Sequence, residues 1–150
     1  MGIRTHAAIA FLIVSPCAGA ASDVSGPYAS PYGDWRGQAQ FHARVGKADD
    51  PKGHSVTEFS FAIDPQGKLV GSSAGNGCRA LGLATPSGPK TVVNLDVTLS
   101  GCAYAGFNRR FSGNLFLYPK DSYASLRLRS YAASSGDKAA SYDIRATLKR

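Results

Sequence analysis

The sequence has few of the residues on which most enzymatic sites depend. Of its 3 histidines, only His42 and His54 lie beyond residue 20, and neither has metal-ligand spacing to a cysteine. The 10 acidic residues are dispersed, so no carboxylate pair suited to glycoside hydrolysis stands out. We therefore expect no catalytic residue, no metal and no cofactor. An unrecognised hydrolase is the weakest of the hypotheses considered.

Long apolar runs are equally scarce, and the clearest one lies near the start of the chain. Residues 1–20 have a basic beginning, an apolar stretch at residues 7–14 and an Ala-Gly-Ala ending. This order is typical of a secretory signal peptide cleaved near Ala20, and the stretch is too short to cross a bilayer. A buried N-terminal helix is the alternative. We expect no transmembrane segment and a periplasmic or secreted location.

Cysteine is also scarce, with 3 in the chain. Cleavage near Ala20 removes Cys17 and leaves Cys78 and Cys102, and two cysteines of an exported protein most often form a disulfide. Such a bridge stabilises a fold by about 3 kcal/mol in the chain-entropy model. Two free buried thiols are the alternative.

No segment beyond residue 20 has a convincing helical period, and the chain shows alternation instead. In residues 35–45 every second residue is apolar or small, which is typical of a strand with one buried face. A short eighth candidate lies at residues 78–84, and six further segments alternate clearly: residues 56–64, 68–72, 91–100, 110–118, 123–131 and 141–149. After a lead-in arm at residues 21–33, we expect one all-β domain at residues 34–150. It should be a seven- to eight-stranded antiparallel up-and-down barrel, with a β-sandwich as the alternative.

Basic residues outnumber acidic ones, 17 to 10, and they recur at outward positions of the first, sixth and last predicted strands. We call this set the basic stripe: Arg36, His42, Arg44, Arg127, Arg129, Arg145 and Lys149. If the barrel closes first strand on last, these strands are neighbours, and Asp143 is the only acid expected near them. The stripe would attract an anionic envelope component or an acidic protein, whereas nucleic acid is a poor candidate outside the cytoplasm. The alternative is that these residues only keep the protein soluble.

A second candidate surface lies next to Cys102. Aromatic and polar residues cluster beside the expected disulfide, and we predict that they form a recognition loop: Tyr104, Phe107, Asn108, Arg109 and Arg110. The alternative is that the aromatic residues plug one end of the barrel.

The segment Gly33-Asp34-Trp35 opens the first predicted strand, and a Gly-x-Trp at that place resembles the calycin barrels, the lipocalin and avidin-like families. The resemblance implies a barrel with a ligand cavity. It also implies a basic residue near the end of the last strand packed over Trp35, for which Arg145 and Lys149 are the candidates. The chain further resembles small exported proteins of Gram-negative bacteria.

Two hypotheses of function follow. The first is a non-enzymatic binding protein that engages an anionic or protein partner, for example as an inhibitor or an immunity factor. The second is a calycin-like carrier of a small apolar ligand. They differ in the barrel interior, where small inward residues such as Gly37 and Gly113 would leave a cavity and large ones such as Phe41 and Phe59 would fill it.

Overall fold

A computed structural model of the chain describes residues 26–132 and 139–150. Short 3₁₀ turns lie at Pro51–Gly53, Ala74–Asn76 and Ala105–Phe107. The strands of the described residues are β1 (Gly33–Val45), β2 (Ala48–Asp49), β3 (Ser55–Ile63), β4 (Lys68–Ser73), β5 (Cys78–Pro86), β6 (Val92–Ser100), β7 (Arg110–Tyr118), β8 (Tyr123–Ala132) and β9 (Ala140–Leu148). The signal peptide predicted for residues 1–20 lies outside the described residues, as does the first part of the lead-in arm.

The strands form a closed antiparallel barrel. From β3 to β9 each strand pairs with the next, β1 pairs with β3, and β9 returns to β1 with Ala146 opposite Ala39. The same register continues to a bridge between Arg36 and Lys149. The predicted all-β up-and-down barrel is therefore confirmed. It has eight strands, and the two-residue β2 is an addition that pairs with the end of β1.

Side chains fill the barrel interior, and an aromatic cluster occupies one end of it. Phe107, from the loop between β6 and β7, lies 5.2 Å from Phe41 and 5.6 Å from Tyr142, measured between ring centroids. Its ring also stacks near Phe111, at 6.2 Å. Because Phe107 is only 2% exposed, the loop closes this end of the barrel with an aromatic plug.

Two inward glycines lie where the backbone of a neighbouring strand comes close. A Cβ atom on Gly113 would overlap the carbonyl oxygen of Arg127, and one on Gly37 would overlap that of Thr147. The space beside these small residues is therefore taken by backbone, and neither glycine leaves a cavity.

The opposite end of the barrel is closed by Trp35, which is 1% exposed. Its Nε1 donates a hydrogen bond of 2.7 Å to the carbonyl of Pro31, and the ring of Tyr28 meets it edge-on at 5.9 Å. Residues 26–32, the described part of the predicted arm, thus lie across this end, while Gly33 already belongs to β1.

The cation over Trp35 is Arg150, not Arg145 or Lys149. The Arg150 guanidinium lies 4.1 Å from the ring centroid of Trp35 and donates to the carbonyls of Ser30 and Tyr32. Alternation explains the difference. Even-numbered residues at the end of β9 point inward, so Arg150 continues the buried row while Arg145 and Lys149 face solvent.

Candidate functional site

The expected disulfide is present. Cys78 and Cys102 are joined by an S–S bond of 2.07 Å, which ties the start of β5 to the loop after β6. A structural disulfide fits a protein of an oxidising compartment. Within residues 26–132 and 139–150, none of the helical segments has the length or apolar character needed to cross a bilayer.

Most side chains of the predicted recognition loop make contacts within the protein. Phe107 is the aromatic plug, and the Asn108 side chain accepts a 2.8 Å hydrogen bond from the Cys102 backbone N–H. The Tyr104 hydroxyl donates to Asp50 Oδ2 at 2.7 Å, and this bond raises the pKa of Tyr104 to about 12. The same bond lowers the pKa of Asp50. These contacts hold the loop on the barrel end and give its side chains structural roles.

The two arginines of this loop are also engaged. Arg109 stacks on Tyr142, with 4.1 Å between its guanidinium carbon and the ring centroid. Arg110 forms a two-point ion pair with Asp96, which raises the pKa of Arg110 and lowers that of Asp96. The recognition role stays a prediction, and the geometry favours the alternative role of closing the barrel.

The structure brings the basic stripe together, because β8 pairs with β9 and β9 with β1. Part of its charge is neutralised. Arg129 Nε lies 2.7 Å from Asp143 Oδ1, and Arg44 Nε lies 3.2 Å from Asp49 Oδ1. His42 Nε2 is also 3.2 Å from Asp49 Oδ1. Asp143 is therefore not the only acid near the stripe, because β2 adds the second one.

The rest of the stripe forms two like-charged pairs. Arg127 lies directly opposite Arg145 across β8 and β9, and Arg36 lies opposite Lys149 across β1 and the end of β9. All four are exposed, and none forms an ion pair with a carboxylate of the described residues. Directly opposed like charges destabilise a sheet. The fold therefore maintains positive charge here that no acid within residues 26–132 and 139–150 balances by an ion pair.

Two concavities flank Arg145 on the outer face of the barrel. The β1 groove has a volume of about 570 Å³ and is lined by Gln40, Phe41, His42, His54, Ser55, Val56, Asp143 and Arg145. A smaller one, of about 330 Å³, has Arg127, Arg129 and Arg145 on its wall together with Asn114. Arg145 stands on the ridge between them, so a ligand in either concavity can reach its guanidinium.

His54 is a site residue that was not among the binding residues predicted from the sequence. Its ring stacks on His42, with centroids 4.2 Å apart and planes inclined by 19°. The contact depends on the turn at Pro51–Gly53, which brings the start of β3 back beside β1. The spacing of the two histidines in the sequence does not indicate this stack.

The segment Gly71-Ser72-Ser73-Ala74-Gly75 matches the Gly-x-Ser-x-Gly pattern of serine hydrolases. The pattern requires a sharp strand-to-helix turn that exposes the serine hydroxyl. Here Ser73 ends β4, has 0% exposure, and donates a 3.0 Å hydrogen bond to the carbonyl of Glu58. The buried hydroxyl ties β4 to β3 and is not placed to attack a substrate.

Comparison of the chain with protein-family models, curated proteins and solved structures found no match. The calycin resemblance thus stays a prediction that rests on Gly33-Asp34-Trp35. Among the described residues, no group of three or more histidine, cysteine, aspartate or glutamate side chains is arranged to hold a metal ion.

Proposed function

We propose that this protein is a non-enzymatic binding protein of the periplasm or cell exterior that engages an anionic partner through the basic stripe. The observation that carries the proposal is the direct opposition of Arg127 and Arg145 without a carboxylate partner among the described residues. Arg127 has one aromatic contact, with its guanidinium carbon 5.9 Å from the ring centroid of Phe116, but the repulsion between the two arginines still costs stability. Such a pair is expected where a ligand supplies the missing charge.

The chemistry of the pair suits an anion that bridges both side chains. Guanidinium groups are planar, always charged and able to donate two parallel hydrogen bonds to one carboxylate or phosphate. An anion seated between Arg127 and Arg145 would replace repulsion by attraction. The remaining stripe residues would raise the local concentration of such partners.

The shape of the stripe favours an extended partner. It extends over the outer faces of three neighbouring strands, β8, β9 and β1, and includes both concavities beside Arg145. An anionic lipid surface or an acidic protein face matches such a surface. An inhibitor or immunity factor would use it to bind an acidic protein. The hypothesis of an apolar-ligand carrier has less support, because aromatic side chains and close backbone occupy the interior.

Co-sedimentation with vesicles tests the proposal. The full chain should bind vesicles that contain phosphatidylglycerol and not pure phosphatidylcholine vesicles. Reversing both charges in Arg127→Glu/Arg145→Glu should abolish binding. The matched control is Lys68→Glu/Arg79→Glu, which makes the same change in net charge on β4 and β5, across the barrel. Equal loss of binding in both double variants would refute a role for the stripe.

A further inference from the structure

The β1 groove has a floor and two walls of different chemistry. Gln40 on β1 lies opposite Val56 on β3 on one side and opposite Arg145 on β9 on the other. One step along β1, His42 lies opposite Asp143, and His54 stacks on its ring. One wall is therefore apolar and aromatic and the other carries both signs of charge.

The first wall presents flat apolar surface. Val56 is 68% exposed, so its side chain offers apolar surface to a ligand. The stacked imidazoles of His42 and His54 extend this surface as a plate, since each ring restrains the other. A ligand with a flat C–H face can pack against both.

The second wall combines Arg145, which pairs with no carboxylate of the described residues, and Asp143, which already accepts a hydrogen bond from Arg129. Arg145 forms no ion pair with a described carboxylate, so its guanidinium is available. Asp143 accepts from Arg129 through Oδ1, which leaves Oδ2 able to accept a hydroxyl hydrogen. A dianion such as phosphate would be repelled by Asp143, whereas a single carboxylate at Arg145 would lie beside neutral hydroxyls at Asp143.

We propose that the β1 groove binds an acidic saccharide, a sugar ring that carries a carboxylate. The carboxylate pairs with Arg145, ring hydroxyls bond to Asp143 and Gln40, and the C–H face packs on Val56 and the histidine plate. A volume of about 570 Å³ accommodates a short oligosaccharide, within the usual range for small-molecule sites. This proposal rests on the proposed function in one respect, because both use Arg145 as the cation that binds the ligand.

Titration of the full chain with digalacturonate, with maltose as the neutral probe, tests the site by NMR. Digalacturonate should shift the imidazole C–H resonances of His42 and His54 along a saturable curve, and maltose should bind at least about tenfold more weakly. Absence of a saturable shift, or equal affinity for both sugars, would overturn the proposal.

Two variants separate this site from the stripe. Val56→Ser and His54→Ala should each weaken digalacturonate binding by about tenfold and leave vesicle binding unchanged. Val56 is exposed, so its replacement does not threaten the fold. Lys90→Gln, on the β5–β6 connection, is the control and should alter neither. Sugar binding that survives both groove variants would place the ligand elsewhere and refute the groove. If the wild type binds digalacturonate but does not bind vesicles, only the stripe proposal is refuted.

Discussion

Replacing Arg150 should expose how the barrel end is held closed. Its guanidinium covers Trp35 at 4.1 Å and donates to the carbonyls of Ser30 and Tyr32, so one side chain joins β9, β1 and the arm. Arg150→Met keeps part of the apolar stem and removes the charge, the donors and the planar group over the indole. The variant therefore measures the cation–π contact and the hydrogen bonds together.

The expected loss can be estimated from these contacts. A half-buried cation over an indole contributes about 1 kcal/mol. Each hydrogen bond from a charged donor contributes about 1.5–3 kcal/mol when formed well. Desolvation works against this sum, and burial accordingly lowers the pKa of Arg150. We expect Arg150→Met to lower the free energy of unfolding by about 2–4 kcal/mol.

Urea unfolding followed by tryptophan fluorescence measures the effect, because Trp35 is the 1 tryptophan of the chain. The neighbouring Lys149→Met is the control. Its side chain faces solvent, so we expect a change within about 0.5 kcal/mol. Arg150→Lys should fall between the two, because an ammonium keeps the charge and loses the two-point donation. Equal stability of Arg150→Met and Lys149→Met would refute the reasoning.

Three further predictions concern the rest of the barrel. Tyr104, with a pKa of about 12, should ionise later than free tyrosine in an alkaline absorbance titration, and Asp50→Asn should remove the delay. Its hydroxyl bond should stabilise the fold fully below pH of about 10 and be lost as pH rises through about 12, and a titration with no component near pH 12 would contradict this. Replacing Cys78 and Cys102 by serine should lower the free energy of unfolding by about 3 kcal/mol in urea, and an unchanged midpoint would show that the bridge does not constrain the unfolded chain. Gly113→Ala should destabilise by about 2 kcal/mol in thermal unfolding, because the added methyl meets the backbone of β8, and a neutral result would mean that the strands can separate there.

The sequence was sufficient for most of the barrel because a two-residue period records which side of a strand is buried. β6 shows this well, with Val93, Leu95, Val97 and Leu99 all inside as their spacing predicts. β5 was predicted two residues too short, and β2 was not predicted. Small inward residues such as Ala80 weaken the alternation of β5, and a strand of two residues has no period to detect.

The site was harder to predict because charge balance depends on register. Alternation placed Arg129 and Arg44 outside, and only the pairing of strands shows that Asp143 and Asp49 neutralise them. The histidine stack likewise needs a turn whose geometry follows from the whole fold. The packing of Arg150 on Trp35 was not predicted, because Arg150 lies beyond the last segment that alternates in the sequence.

A double-mutant cycle on Arg127 and Arg145 tests most directly whether this pair is held for binding rather than for fold stability. The free energy of unfolding is measured at low ionic strength for the wild type, Arg127→Gln, Arg145→Gln and the double variant. Without vesicles we predict a repulsive coupling energy of about 0.2–1 kcal/mol, which becomes attractive when phosphatidylglycerol vesicles are present. A coupling energy that is attractive without vesicles, or that vesicles do not change, would contradict the role assigned to the stripe.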